Sequence, residues 1–270
     1  MTEYTKTGLL FLMIALIVSL CSTPIAFGFY STIDLIDLEK QLPSILMVLM
    51  PVALIGVLAG VLTLLGAIFI VLGHKEFGEK HRKYIFYCVI IFIVMLGIIM
   101  FFAFMNFAAT FSSLFTRQFQ QASPALTSDF FITQLTYSLI QSCIIALLSG
   151  LLWVFALYHL ESKKGRMILL AAFTFMILTP IVISIGSLML VDEWTAQGTL
   201  DDVLENQTSG TSMYSQLITF SQWSGGIGVI VLLVSMLGNL LLFVALFIAY
   251  KRIAKGELSI SLSTEETYHL

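Results

Sequence analysis

The 270-residue chain carries 13 Lys and Arg against 16 Asp and Glu, yet 59% of it is hydrophobic and its mean hydropathy is +0.99. A soluble domain of this size does not have that balance. No Asp, Glu, Lys or Arg falls within six long runs, 7–33, 41–74, 84–116, 130–160, 167–191 and 206–250, which weighs against proton-coupled transport and against hydrolysis within the membrane, since both ordinarily need ionisable groups at bilayer depth.

Each run holds the roughly 20 apolar residues that a helix needs to cross about 30 Å of hydrocarbon. The first span is placed at 8–30. Its alternative is a secretory signal, with Lys6 ahead of an apolar core and small residues near Ser22 and Ala26, although the run continues through Phe27, Phe29 and Tyr30. In the outer loop 31–44, Ser31-Thr32-Ile33-Asp34 reads as the start of a short interfacial helix. The second span, 45–72, contains Gly56-x3-Gly60, a spacing that lets another helix approach closely, here within the bundle in preference to between chains.

The third span, 85–111, carries Asn106 and a crowd of phenylalanines, Phe101, Phe104, Phe107 and Phe111 among them. These cover too much of the helix circumference for a cofactor box, so lipid or a partner subunit is their expected contact. An outer loop at 112–131 leads to the fourth span, 132–159. There Gln134, Tyr137, Ser138, Gln141, Ser142 and Ser149 fall within an arc of about 140°. Hydrogen bonding between helices is the first reading of that face, each bond contributing about 0.6–2 kcal/mol. Lining of a path for a neutral solute is the second, with Asn106 and Asn239 as the side chains that would meet Gln134, Ser138, Gln141 and Ser142.

The fifth span, 167–190, holds Pro180 near its middle, and the acidic outer loop 191–224 contains the sequon Asn206-Gln207-Thr208, which makes Asn206 a glycosylation candidate. Met213, Tyr214, Leu217, Ile218 and Phe220 suggest a second interfacial segment before the sixth span, 225–250. Residues 1–256 thus form one transmembrane domain, and the Ser/Thr/Glu-rich stretch 257–270 is expected to be a disordered cytoplasmic tail.

Continuous runs two to three times the length of a tilted strand exclude a barrel and give an all-α polytopic membrane protein, six helices in three hairpins. With both termini cytoplasmic, the inner side carries Lys6, Lys75, Lys80, Arg82, Lys83, Lys163, Lys164, Arg166, Lys251, Arg252 and Lys255, while the outer side carries only Lys40 and Arg117. That asymmetry is a strong positive-inside signal.

The four histidines, His74, His81, His159 and His269, lie at the inner edge or in the tail, so a haem held at depth by paired imidazoles is not expected. His74, Glu76, Glu79, His81, His159 and Glu161 have the chemistry to meet around a divalent metal, but solvated joints containing His are the ordinary case. No phosphate-binding glycine loop, His-Glu-x-x-His pair or nucleophile set is present. No enzyme activity, catalytic residue, metal, cofactor or nucleic-acid partner is therefore expected.

The joint Gly73-His74-Lys75-Glu76-Phe77-Gly78-Glu79-Lys80-His81 and the opening Thr5-Lys6-Thr7-Gly8-Leu9-Leu10 resemble uncharacterised multi-span membrane proteins of archaea. The resemblance covers about a tenth of the chain. It implies a prokaryotic cytoplasmic membrane and transfers no activity or site. Two functions stay open: an accessory subunit or self-assembling scaffold that contacts lipids and other membrane subunits, and a passive channel or carrier for small neutral or lipidic molecules.

Overall fold

A computed structural model describes residues 3–30, 38–120, 128–196 and 226–258. They form α1 (Glu3–Tyr30), α2 (Leu38–Leu72), a 3-10 turn (Gly73–Lys75), α3 (Gly78–Gln120), α4 (Ser128–Tyr158), α5 (Lys163–Ala196) and α6 (Gly226–Ala254), with no strand among the described residues. Each of the six helices is long and apolar enough to cross a membrane. With no water at depth to satisfy backbone amides, a continuous apolar run becomes helix even where Ile, Val and Phe dominate its composition.

The turns are locally encoded. Gly78, at φ 80°, takes the left-handed conformation that redirects the chain into α3, and Gly256, at φ 71°, closes the end of α6 with its N–H donating to the Ile253 carbonyl at 2.9 Å. Ser162 caps α5: its hydroxyl accepts from the Gly165 N–H at 3.2 Å.

Each of the six helices extends beyond the span read from the sequence at one end or both. The stretch 31–44 was expected to be an outer loop, but α2 already begins at Leu38, α3 runs through Gln120 into the expected loop 112–131, and α5 reaches Ala196. Charged and amide residues such as Glu39, Lys40, Arg117, Gln118 and Gln120 end a hydrophobic span without ending a helix, because they are themselves good helix formers in water. With 43 residues, α3 is about 65 Å long, twice the thickness of the hydrocarbon. The expected interfacial start at Ser31–Asp34, the segment from Met213, Asn206 and the tail beyond residue 258 lie outside the described residues.

The helices pack as an open row in the order α2, α1, α6, α5, α4, α3. The first and last helices of the chain are therefore neighbours, and α6 joins α1 to α5. Between α2 and α3, the two ends of the row, contact is concentrated at the 3-10 turn. The core sits at the end of the bundle that carries this turn and the 159–162 joint. It gathers Leu9 and Leu12 of α1, Leu157 and Leu160 near the end of α4, and Leu246 and Ala249 of α6. Glycines set the closest approaches: a Cβ on Gly8 would stand 2.7 Å from the Gly66 carbonyl oxygen, and one on Gly66 would strike Leu12. Beside this contact, the Phe11 and Phe69 rings stack at 5.6 Å.

Gly56 and Gly60, expected to make that internal contact, do not make it among the described residues. Nothing lies within 4 Å of a Cβ built on either, and both are exposed. The spacing was right for a close approach, but the helix face is not the one turned to α1.

Candidate functional site

The described ionisable residues concentrate at the joint end, where the beginning of α1, the α2–α3 turn, the α4–α5 joint and the end of α6 come together. Glu76, in the turn, accepts the backbone N–H groups of Tyr4 and Thr5, each at 3.1 Å. A carboxylate is well placed there, since the first amides of a helix have no partner inside it and the helix dipole favours negative charge. The fully buried Thr5 adds a weak bond from its hydroxyl to the Gly73 carbonyl at 3.5 Å, and a side chain on Gly73 would collide with it.

Two arginines and a lysine tie the other strands of this knot. Arg252 of α6 donates from Nη1 to the Leu160 carbonyl at 2.6 Å and pairs through Nε with Glu257 at 3.4 Å. Arg166 donates from Nε to the Tyr158 carbonyl at 2.9 Å and lies 4.5 Å over the Tyr158 ring. Lys6 stands 5.7 Å over the ring of Tyr250, linking α1 to α6. The carbonyls served by the arginines close α4, so cations meet the negative end of that helix.

Within this collar lie two buried polar side chains, His81 and Glu161, and neither ring nitrogen of His81 has a hydrogen-bond partner among the described residues. The His81 ring meets the Phe77 ring edge-on at 5.4 Å and the His159 ring at 6.1 Å. Glu161 packs directly against Gly165, where any Cβ would overlap the carboxylate. Burial pushes the Glu161 carboxyl up to about 7; the Arg252 charge, the backbone amides of Ser162 and Ala249 and the Arg166 charge offset only part of that cost. A carboxyl held near neutrality in a dry pocket can gain or lose a proton in the physiological range.

The six side chains with metal-binding chemistry do not gather. No group of three or more His, Cys, Asp or Glu suited to a metal occurs among the described residues. Glu76 is occupied by α1, while His74 Nδ1 lies 2.9 Å from the Val71 carbonyl.

Two hydroxyls on the polar face of α4 bond within their own helix. The Ser142 and Ser149 hydroxyls donate to Leu139 and Ala146 of their own helix, at 2.8 and 3.0 Å, and Ser138 and Ser142 are exposed on the side of the bundle. A hydroxyl can satisfy itself on the carbonyl three or four residues earlier, so it requires no second helix. Gln141 is half-buried; the side chains of Gln134 and Asn106 lie outside those described. Asn239 is on α6, which packs on α1 and α5. A polar contact from α4 to α5 is made by Cys143, whose sulfur lies 3.6 Å from the Ser184 hydroxyl.

Away from the collar, an apolar gap separates α2 from α3. A cleft of about 240 Å³ opens there, walled by Leu64, Ala67 and Val71 of α2 and by Val89 and Phe92 of α3, with Trp153 of α4 at its back. On a helical projection Gly56, Gly60, Leu64, Ala67 and Val71 fall within about 80° of one another. The exposed glycines thus continue the α2 wall of the cleft. Phe101, Phe104 and Phe107 stand outward on α3, and the side chain of Phe111 is not among those described.

Several of these features were hidden in the sequence. Gly8 had no small-residue motif around it, Gly66 stood out only as a small residue near Gly56-x3-Gly60, and Glu161 looked like one charge in a solvated joint. The one local signal was Ser162-x-x-Gly165, a cap beside a residue without a side chain. The chain matches no protein-family model, and no curated protein and no solved structure proved similar to it. The protein is thus an all-helical chain with six helices long and apolar enough to cross a membrane, an open apolar seam and a buried carboxyl in a basic collar.

Proposed function

We propose that the protein is a non-catalytic membrane subunit that receives an apolar transmembrane helix of another chain in the seam between α2 and α3. The open row of helices carries this reading: five neighbouring pairs pack, while the pair at the ends of the row remains apart along an apolar cleft. Lipid tails are as apolar as leucine, so helices associate in membranes through close packing and not through hydrophobic expulsion. Gly56 and Gly60 offer such packing, because no described side chain occupies the space above them. The partner is a second copy of this chain or a different membrane subunit, and the contact surface is the same for both.

The test combines mild-detergent isolation from the native membrane with a photo-crosslinking amino acid at Leu64. Stoichiometric crosslinking to one polypeptide, lost in the Gly56→Leu/Gly60→Leu variant, is the expected result. A monomer that crosslinks to lipid alone would contradict the proposal, as would a partner retained by the glycine variant.

A further inference from the structure

The opening of α3 reads Gly78-Glu79-Lys80-His81-Arg82-Lys83-Tyr84-Ile85-Phe86-Tyr87. At 100° per residue Lys80, Lys83, Tyr84 and Tyr87 share one face, while His81 points away from it into the core. Across from that face stand Tyr158 and His159, which end α4, and Arg166 in the first turn of α5. The Tyr84 ring lies 6.1 Å from Tyr158 and 6.3 Å from His159, and the Tyr87 ring lies 5.9 Å from Phe155. Arg166 is held in place by its bond to the Tyr158 carbonyl and its position over that ring.

Lys80, Lys83, Tyr84, Tyr87, Tyr158, His159 and Arg166 line an open hollow of about 530 Å³, and no carboxylate is among the described residues that line it. Glu79 borders the adjacent hollow, together with Arg82 and Lys83. Toward the bilayer the same face of α3 continues as Ile90, Ile91 and Val94, of which Ile90 and Val94 are exposed. Cations and tyrosine hydroxyls thus sit at the headgroup level above an apolar strip.

We propose that this hollow binds the headgroup of an anionic phospholipid, with an acyl chain lying along Ile90, Ile91 and Val94. Basic pockets between transmembrane helices at the membrane edge suit such headgroups. Arg166 supplies a planar fork that matches a phosphate, the lysines supply point charge, and the tyrosine rings belong at the interface between headgroup and hydrocarbon. A zwitterionic lipid would find the same phosphate donors but no lining carboxylate for its ammonium group. Free phosphate would leave the apolar strip unused.

The experiment is native mass spectrometry of the full chain in mild detergent, titrated with phosphatidylglycerol, with phosphatidylcholine of the same chains, and with inorganic phosphate. Phosphatidylglycerol is expected to bind about tenfold more tightly than phosphatidylcholine. Each lysine near an anionic headgroup contributes about fivefold, so Lys80→Ala/Lys83→Ala is expected to lower that affinity about twenty-five-fold, and Lys83→Ala alone about fivefold if the pair impairs folding. Lys163→Ala/Lys164→Ala removes the same charge at the same end, outside the hollow, and is expected to change affinity by less than about twofold. Equal weakening by the two pairs would show diffuse attraction and overturn the site. Equal affinity for the two lipids would do so as well, and displacement of phosphatidylglycerol by millimolar inorganic phosphate would assign the hollow to a soluble anion instead.

Discussion

A single carboxyl, Glu161, governs how this protein should respond to pH. In the folded chain it is held at about 7, against 4.5 for an ordinary glutamate. Because the folded value is raised, its contribution to stability is complete below about pH 4.5 and is lost as pH rises through 7. The loss is of order 3 kcal/mol at full deprotonation. Wild type is therefore expected to melt several degrees lower at pH 8 than at pH 5, and Glu161→Gln, which cannot ionise, should lie above wild type at pH 8 and converge with it at low pH. Thermal unfolding of both proteins in detergent across that range measures the difference. Parallel curves would mean that the carboxyl is solvated after all. Gly165 belongs to the same argument, since the space its missing side chain leaves is the space the carboxyl fills.

At the scale of helices, the two pairs of glycines on α2 and its neighbour should separate by behaviour. Gly66→Leu forces α1 and α2 apart and is expected to cost about 1–3 kcal/mol, the usual range for overpacking. Gly60→Leu enters open space and should leave the melting temperature of the isolated chain unchanged; calorimetry of the two variants decides, and equal losses would show that both glycines serve internal packing. The contrast also marks how far the sequence could be read. Six uncharged runs suffice to place six helices, because length and apolarity are properties of a segment alone. Which face of α2 meets α1 depends on where α1, α6 and α3 lie, and no spacing within α2 contains that. The same holds for α4, whose hydroxyls looked like a shared polar face but whose Ser142 and Ser149 bond their own helix. Glu161 is hidden for the same reason: its surroundings include α6, whose Ile248 lies with it at Gly165 and whose Arg252 charge acts on it, and no local pattern in the joint contains that.

For the molecule as a whole, the row of helices leaves one seam open, and its closure can be imposed. In a background without the native cysteines, Leu64→Cys and Phe92→Cys place thiols on opposite walls of the cleft. A short bifunctional thiol reagent that joins them is expected to preserve the melting temperature while abolishing association with a partner helix. Association that survives the staple would move the interface elsewhere, to the outward phenylalanines of α3 as the next surface. The lipid hollow lies on the other side of α3 and should be unaffected by the staple, so the two proposals can fail separately.

The place of α6 in the row has a consequence for how the chain is made. Helices leave the ribosome in sequence order, and until α6 emerges, the packing of α1 and α2 onto α4 and α5 runs, among the described residues, chiefly by way of the turn and α3. The α6 residues in the core, Leu242, Ala245, Leu246 and Ala249, follow the other described helices in sequence. Until α6 has been made, the inserted helices are therefore expected to stand as two unsealed halves in the bilayer, with Leu9 and Leu12 facing lipid or an insertion factor.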